Sequence, residues 1–222
     1  MMTNERLGGV NKLTLDRLNA LTDGVAAIAI TILVLGIDIP EDHLFSEQGL
    51  ISFLHRIGDN VLIYGISFWI IASYWIQHHA MFHYFRYSNR TLVWLNAVFL
   101  FFLTLIPFLA KLKSIYKNEP KAALLVGLGY IAVSLALMAI WRYAVSQPGI
   151  QRRHPVDSAV IRSMTLRLLA APLISLIAIG LSFFDVRVGT VCFLAIPFFY
   201  ISHHLVDARW ESGAEMPSSD QN

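Results

Sequence analysis

Hydrophobic residues in this chain gather into long runs separated by short polar stretches. Residues 60–85, 91–110, 122–141, 168–184 and 188–206 contain no Asp, Glu, Lys or Arg. A sixth run, 18–39, is interrupted by charge only at Asp23 and Asp38. A hydrocarbon layer of about 30 Å is crossed by roughly 20 mainly apolar helical residues. Six membrane-spanning helices are therefore predicted. A β-barrel is excluded because runs such as AVFLFFLTLIPFL (97–109) do not alternate between faces. Lipid offers backbone groups no hydrogen-bond partner, so helices are the form these runs must take. Pro107, Pro172 and Pro197 fall in the third, fifth and sixth runs, where kinks are expected.

The first predicted helix is two-sided. At about 100° per residue with Ile28 as zero, Ile32 falls at about +40°, Leu35 at about −20° and Ile39 at about +20°. These residues make one aliphatic strip, with Thr31 on its flank at about −60°. Asp23 lies nearly opposite, at about −140°. A carboxylate at that depth is expected to be buried among neighbouring helices and to find polar partners there. Gly24, Ala26, Ala27 and Ala29 leave room for close helix approach. Thr14 is the expected N-cap, and Pro40 follows the helix end. The strip alone fits contact with lipid or neighbouring helices better; the acid behind it is what suggests that the opposite face is held.

Composition agrees with membrane residence. Of the 222 residues, 56% are hydrophobic and 14% charged, the latter well below the quarter expected of a soluble domain. With a net charge of +2 and no basic stripe, nucleic acid is not an expected partner. The only cysteine, Cys192, sits within an apolar run and has no partner for an intramolecular disulfide. The segment 1–16 lacks the apolar core of a signal peptide. Residues 1–210 are expected to form one six-helix transmembrane domain. The stretch 211–222 reads as a disordered polar tail. With the N-terminus inside, 11 of the 17 Lys and Arg residues fall on the cytoplasmic side. That bias predicts a multi-pass cell-membrane protein with both termini cytoplasmic.

Polar residues inside the runs are the candidate chemistry. The second run carries His78, His79 and His83. Intramembrane histidines mark polar networks, metals or proton paths. Asn96, early in the third run, needs partners for its amide, and Trp94 nearby suits the membrane interface. The first helix enters from the side by which the second leaves and the third re-enters. Asp23, His78 or His79, and Asn96 are therefore expected at one depth, in a network pinning the first helix to the next two. Three readings stay open from the residues: a channel, a proton-coupled secondary transporter using Asp23 and the histidines, and a haem- or metal-binding protein using His78, His79, His83, His203 and His204. No nucleotide loop, activated nucleophile or helical zinc-protease motif is present, so no enzymatic activity is expected.

The stretch Arg17-Leu-Asn-Ala-Leu21-Thr22-Asp23 resembles the signature of the lysosomal-type potassium channels of the transmembrane-protein-175 class: Arg, three residues, then Phe-Ser-Asp. Leu21 and Thr22 replace Phe and Ser, keeping one apolar and one hydroxyl position. The following GVAAIAITILVL, SFWIIASYWIQHHAMF and LVWLNAVFLFFLTLIPF also look like family segments, in order. The resemblance is to the single-repeat bacterial members. It implies a homotetramer with the first helix of each subunit around a central pore, conducting K⁺ modestly better than Na⁺, with no cofactor. By position, the aliphatic constriction would be Ile28, Ile32 and Leu35, and Thr31 would favour potassium. Arg17, Thr22 and Asp23, with His78, His79, Trp94 and Asn96, would form the structural network. Asp38 would lie near the outer mouth. K⁺, the bilayer and other copies of the chain are the implied partners.

Overall fold

The computed structural model describes residues 15–37, 47–147, 150 and 156–202, without side-chain detail for 47–56 and 201–202. Every regular element among them is helical: α1 (Leu15–Ile32), a 3₁₀ turn (Leu33–Gly36), α2 (Glu47–Phe82), α3 (Arg90–Ile115), α4 (Pro120–Ser146), α5 (Ser158–Ser182), α6 (Val186–Cys192) and α7 (Ala195–Ser202). Five of these segments, with α1 and its 3₁₀ turn taken together, are long and apolar enough to cross a membrane, and a shorter apolar stretch covers Val186–Tyr200. The protein is an all-α integral membrane protein, built from the six apolar segments that the hydrophobic pattern anticipates.

Three boundaries differ from expectation. The first helix is α-helical only to Ile32 and tightens into a 3₁₀ turn over Leu33–Gly36. A 3₁₀ turn is a common helix ending, because bonds of shorter span use carbonyls that the α pattern leaves unpaired. The second helix starts at Glu47, well before the expected 60. Helix formation does not stop where charge begins, so the hydropathy of 60–85 marked only the part suited to lipid. The last helix is not continuous from 188 to 206; it breaks at Phe193 and Leu194, between α6 and α7. Pro197 explains the break, since it has no N–H to give the Phe193 carbonyl one turn earlier. That carbonyl instead accepts from Ile196 N at 3.1 Å, a tighter turn. Pro107 and Pro172 are accommodated within continuous helices. Thr14, Asp38, Ile39, Pro40, His203, His204 and the tail 211–222 lie outside the described residues.

Short turns keep successive helices adjacent. Asn89 caps α3, its Oδ1 accepting from Leu92 N at 2.9 Å, while its Nδ2 donates to Tyr143 Oη at 2.8 Å near the end of α4. Pro120 opens α4, where a missing N–H is harmless. Asp157 caps α5 by accepting from Ala159 N at 3.1 Å. α4 packs between α3 and α5, and α1 packs against α2 and α3. The core holds Trp141, Tyr74, Tyr130 and Phe99. Tyr74 Oη donates to the Tyr130 carbonyl at 2.7 Å and lies 2.9 Å from Ser134 Oγ, tying α2 to α4 through a fully buried polar contact.

Candidate functional site: the two faces of the first helix

One face of α1 is buried and the other is bare. Thr22, Ala26, Ala29 and Leu33 are buried, at spacings of three and four that follow one helical face. The small residues let α2 and α3 approach closely. Ile28, Ile32 and Leu35 stay 59%, 45% and 76% exposed within the single chain, and Leu21 is exposed on the same strip. Thr31 is also exposed. Its Oγ1 donates to the Ile28 carbonyl at 2.9 Å. The hydroxyl hydrogen is thereby spent on its own helix, and the lone pairs of the oxygen remain available.

The buried face carries a directed chain of hydrogen bonds. His78 Nε2 donates to Asn96 Oδ1 at 2.8 Å, Asn96 Nδ2 donates to Thr22 Oγ1 at 3.0 Å, and Thr22 Oγ1 donates to the Leu18 carbonyl at 3.0 Å. Thr22, His78 and Asn96 are all buried. Each donor thus meets an acceptor, which buried polar groups in an apolar setting require. The His78 ring is stacked between Phe82 and Phe99, with centroids 4.0 and 5.3 Å away. Stacking and hydrogen bonding together fix the ring orientation, so three helices are locked in one rotational setting.

Asp23 takes a different place from the one expected. It is exposed within the chain rather than buried. Its Oδ1 accepts from Trp75 Nε1 at 2.8 Å, not from a histidine or Asn96. Its angle on the helix puts it at the edge where α1 meets α2, within reach of an indole there and outside the central chain. Trp75, which the residue pattern does not single out, is the partner that the structure gives Asp23. Its signal was available: an indole three residues before His78 lies close to the same helical face. His79 is exposed, with its ring 6.1 Å from that of Trp75. Arg17 and Trp94 are exposed as well, and the structure brings neither into the buried chain. His83 is exposed. Among the described residues, no three His, Cys, Asp or Glu side chains converge as metal ligands would.

The far end of the helix is held by a cation. Lys111 Nζ, from α3, donates to the Gly36 carbonyl at 3.2 Å, where the 3₁₀ turn ends. A carbonyl at a helix C-terminus carries partial negative charge, so an ammonium group is a favourable partner. α1 is therefore fastened at both ends on one side, with its aliphatic strip left open on the other.

Comparison with known proteins places this arrangement. Residues 17–107, which span α1 to most of α3, match the family described as endosomal/lysosomal potassium channel TMEM175. A potassium channel from Chamaesiphon minutus is 29% identical over 82% of this chain and 92% of its own length. The endosomal/lysosomal proton channel TMEM175 of Rattus norvegicus is 26% identical over 94% of this chain and 47% of its own length. The crystal structure of a lysosomal potassium-selective channel TMEM175 homolog from Chamaesiphon minutus superposes with a TM-score of 0.72 at 25% identity, over 84% of this chain and 95% of that one. The family is one of channels and not of enzymes. Its matched region contains the buried chain, the Asp23–Trp75 contact and the bare strip together, and over that region the chain is similar to the TMEM175 family of channels.

Proposed function

We propose that this protein is one subunit of a homotetrameric cation channel in the cell membrane, conducting K⁺ modestly better than Na⁺, with α1 of each copy lining the pore and both termini cytoplasmic. The observation that carries the reading is the contrast on α1: an aliphatic strip bare in the single chain, on a helix whose other face is fastened by buried hydrogen bonds. One helix cannot enclose a conduit, so several copies must share an axis, and such assemblies close as cyclic rings. The relatives' potassium-channel names and the shared fold support the same assignment.

Ile28, Ile32 and Leu35 then form successive constrictions over about 12 Å of the axis, from the α-helical and 3₁₀ rises. Aliphatic rings at close quarters exclude water and oppose ion passage, and slight widening readmits it. K⁺ sheds hydration water at lower cost than Na⁺, so such a constriction favours K⁺ without a carbonyl filter. Thr31, with its hydrogen committed to the Ile28 carbonyl, offers oxygen lone pairs to a partly dehydrated cation. Thr22, Asp23, His78 and Asn96, joined by Trp75, serve as the frame that aims the strip; Arg17, His79 and Trp94 complete the motif at the exposed positions.

The test is flux in liposomes containing the purified protein. K⁺ efflux is expected to exceed Na⁺ efflux, and Ile28→Asn is expected to raise both while narrowing the difference. Unchanged conductance in Ile28→Asn removes the strip from the pore. Because the rat relative is named a proton channel, a pH-sensitive dye in the same vesicles separates the readings. Proton flux without K⁺ flux would favour a proton pathway over the cation pore.

A further inference from the structure

Besides the strip on α1, α2 and α3 each carry an uncovered seam. On α2 it runs Leu62, Gly65, Trp69, Ala72, Ile76, and on α3 Trp94, Val98, Phe101, Leu105, Phe108. The steps alternate between three and four residues, the repeat by which two helices interlock side chains along their length. Trp69, Phe101, Phe108 and Trp94 are 51%, 60%, 63% and 64% exposed within the single chain. Lipid contact accounts for a face such as that of α5, whose exposed residues from Leu166 to Ile177 are all Leu or Ile. The α2 seam is different. Trp69 stands at the middle of its span, whereas tryptophan that meets lipid belongs at the membrane interface. Its indole N–H meets no acceptor among the described residues. A Cβ added at Gly65 would meet nothing within 4 Å, so the seam has an open gap beside Trp69.

The two seams face opposite ways. His78 and Asn96 point at each other between α2 and α3. They lie about 180° from Trp69 and about 160° from Trp94 on their own helices. A subunit with unlike surfaces on its two flanks closes a ring by setting one against the other. Depth gives the register. α2 and α3 run antiparallel, and the His78–Asn96 bond sets those two residues level, so each step back from His78 matches one step forward from Asn96. Copies around an axis normal to the membrane share the same depths. Phe101 of one copy is then level with Ala72 of the next, Phe108 with Gly65, and Thr104 with Trp69, each to within one residue and all in the same sense. Large side chains meet small ones. Thr104 is exposed, and its Oγ1 donates to the Phe101 carbonyl at 2.9 Å, which leaves its lone pairs to accept.

We infer that the α2 seam of each copy docks on the α3 seam of its neighbour, with Phe101 and Phe108 seated at Ala72 and Gly65 and the Trp69 indole donating to the neighbour's Thr104. This rests on the ring of copies proposed above and assigns the contact that closes it. Lipid tails are as apolar as leucine, so close fit and hydrogen bonding hold such a contact, and small residues permit the fit. The exposed side chains of the two seams offer on the order of 1,000 Å² together, the scale of a specific interface.

Thiol cross-linking of the full-length protein in membranes tests it, in a Cys192→Ser background with a short bifunctional reagent. Ala72→Cys and Phe101→Cys chains, co-expressed, are expected to give a covalent dimer. A chain bearing both substitutions is expected to give a ladder up to the full ring, and either variant alone to give neither. Ala72→Cys with Trp94→Cys, at unequal depths, is expected to stay uncoupled. Native mass spectrometry and K⁺ flux of the wild type separate this inference from the reading beneath it. A wild-type oligomer in which the Ala72 and Phe101 positions fail to couple, or in which either variant couples to itself, overturns the docking and leaves the channel standing. A wild-type monomer without K⁺ flux overturns both. Gly65→Leu is expected to lower the assembled fraction about tenfold by overpacking. Adding Phe108→Ala is expected to restore it to within about twofold of wild type. A Gly65→Leu ring as abundant as wild type overturns the seam.

Discussion

α1 and α4 are both apolar spans, yet they are held by different means. In the most apolar window of the first span, 28% of residues are buried within the chain, against 50% for α4. Glycines show the difference atom by atom. A Cβ added at Gly24, on the strip side of α1, would meet nothing within 4 Å. A Cβ at Gly127 of α4 would come within 2.6 Å of the Ile179 side chain, and one at Gly129 within 2.3 Å of Leu109 Cδ1. α4 is fixed largely by shape along the half of its surface that is buried, while Leu125, Leu128 and Leu135 stay exposed on the other side. α1 is fixed by a few directed polar contacts on one side and is free of packing on the other. A helix of the second kind can present a smooth apolar surface to a shared axis without losing its rotational setting.

The strongest way to break this comparison is a paired substitution. Gly189, on α6, is more tightly enclosed than the α4 glycines, since a Cβ there would lie 2.6 Å from the Ala178 carbonyl oxygen and 2.7 Å from Ser182 N, both backbone atoms. Backbone cannot swing aside as a flexible side chain does, so Gly189→Ala is expected to destabilise by about 3 kcal/mol or to abolish folding. Gly24→Ala is expected to leave the melting temperature in detergent unchanged or slightly raised, by the helix propensity gain of about 0.5–1 kcal/mol. Comparable losses at both sites would mean that α1 is packed on both faces.

A smaller effect is expected at the centre of the buried chain. Asn96→Leu removes both the acceptor for His78 and the donor to Thr22 while keeping the volume similar. The expected cost is about 1–3 kcal/mol, read as a lower unfolding midpoint, with loss of assembled protein in cross-linking. An unchanged midpoint would show that polar contacts do not hold α1 after all.

The smallest effect is expected at the other end. Lys111→Met removes the donor to the Gly36 carbonyl, worth about 1 kcal/mol or less at a partly exposed site. Its sharper readout is flux, because the 3₁₀ turn that carries Leu35 loses its restraint. K⁺ flux is expected to change several-fold with little change in melting temperature. A variant that shifts stability without shifting flux would confine Lys111 to folding.

Much of this arrangement was legible from residue order. The bare strip of Ile28, Ile32 and Leu35 and the held face carrying Thr22 follow from helical periodicity, because 3.6 residues per turn is a local property. His78 and Asn96 stood out because a polar side chain in an apolar run must find a partner. The partner of Asp23 was not legible. Which of Trp75, His78 and His79 faces the acid depends on the rotation of α2 about its own axis, and packing against α3 and α4 sets that rotation.

The order of residues by itself determined the number of apolar segments and the two-sidedness of the first, because lipid demands internally bonded helices of a set length and the helical repeat sorts side chains into faces without reference to any neighbour. Tertiary structure alone decided which polar groups meet: Trp75 with Asp23, Asn96 between His78 and Thr22, Lys111 with the Gly36 carbonyl. Those pairings join residues far apart in the chain, and hydrogen bonds act over so short a range that a modest rotation or shift of one helix would exchange one partner for another.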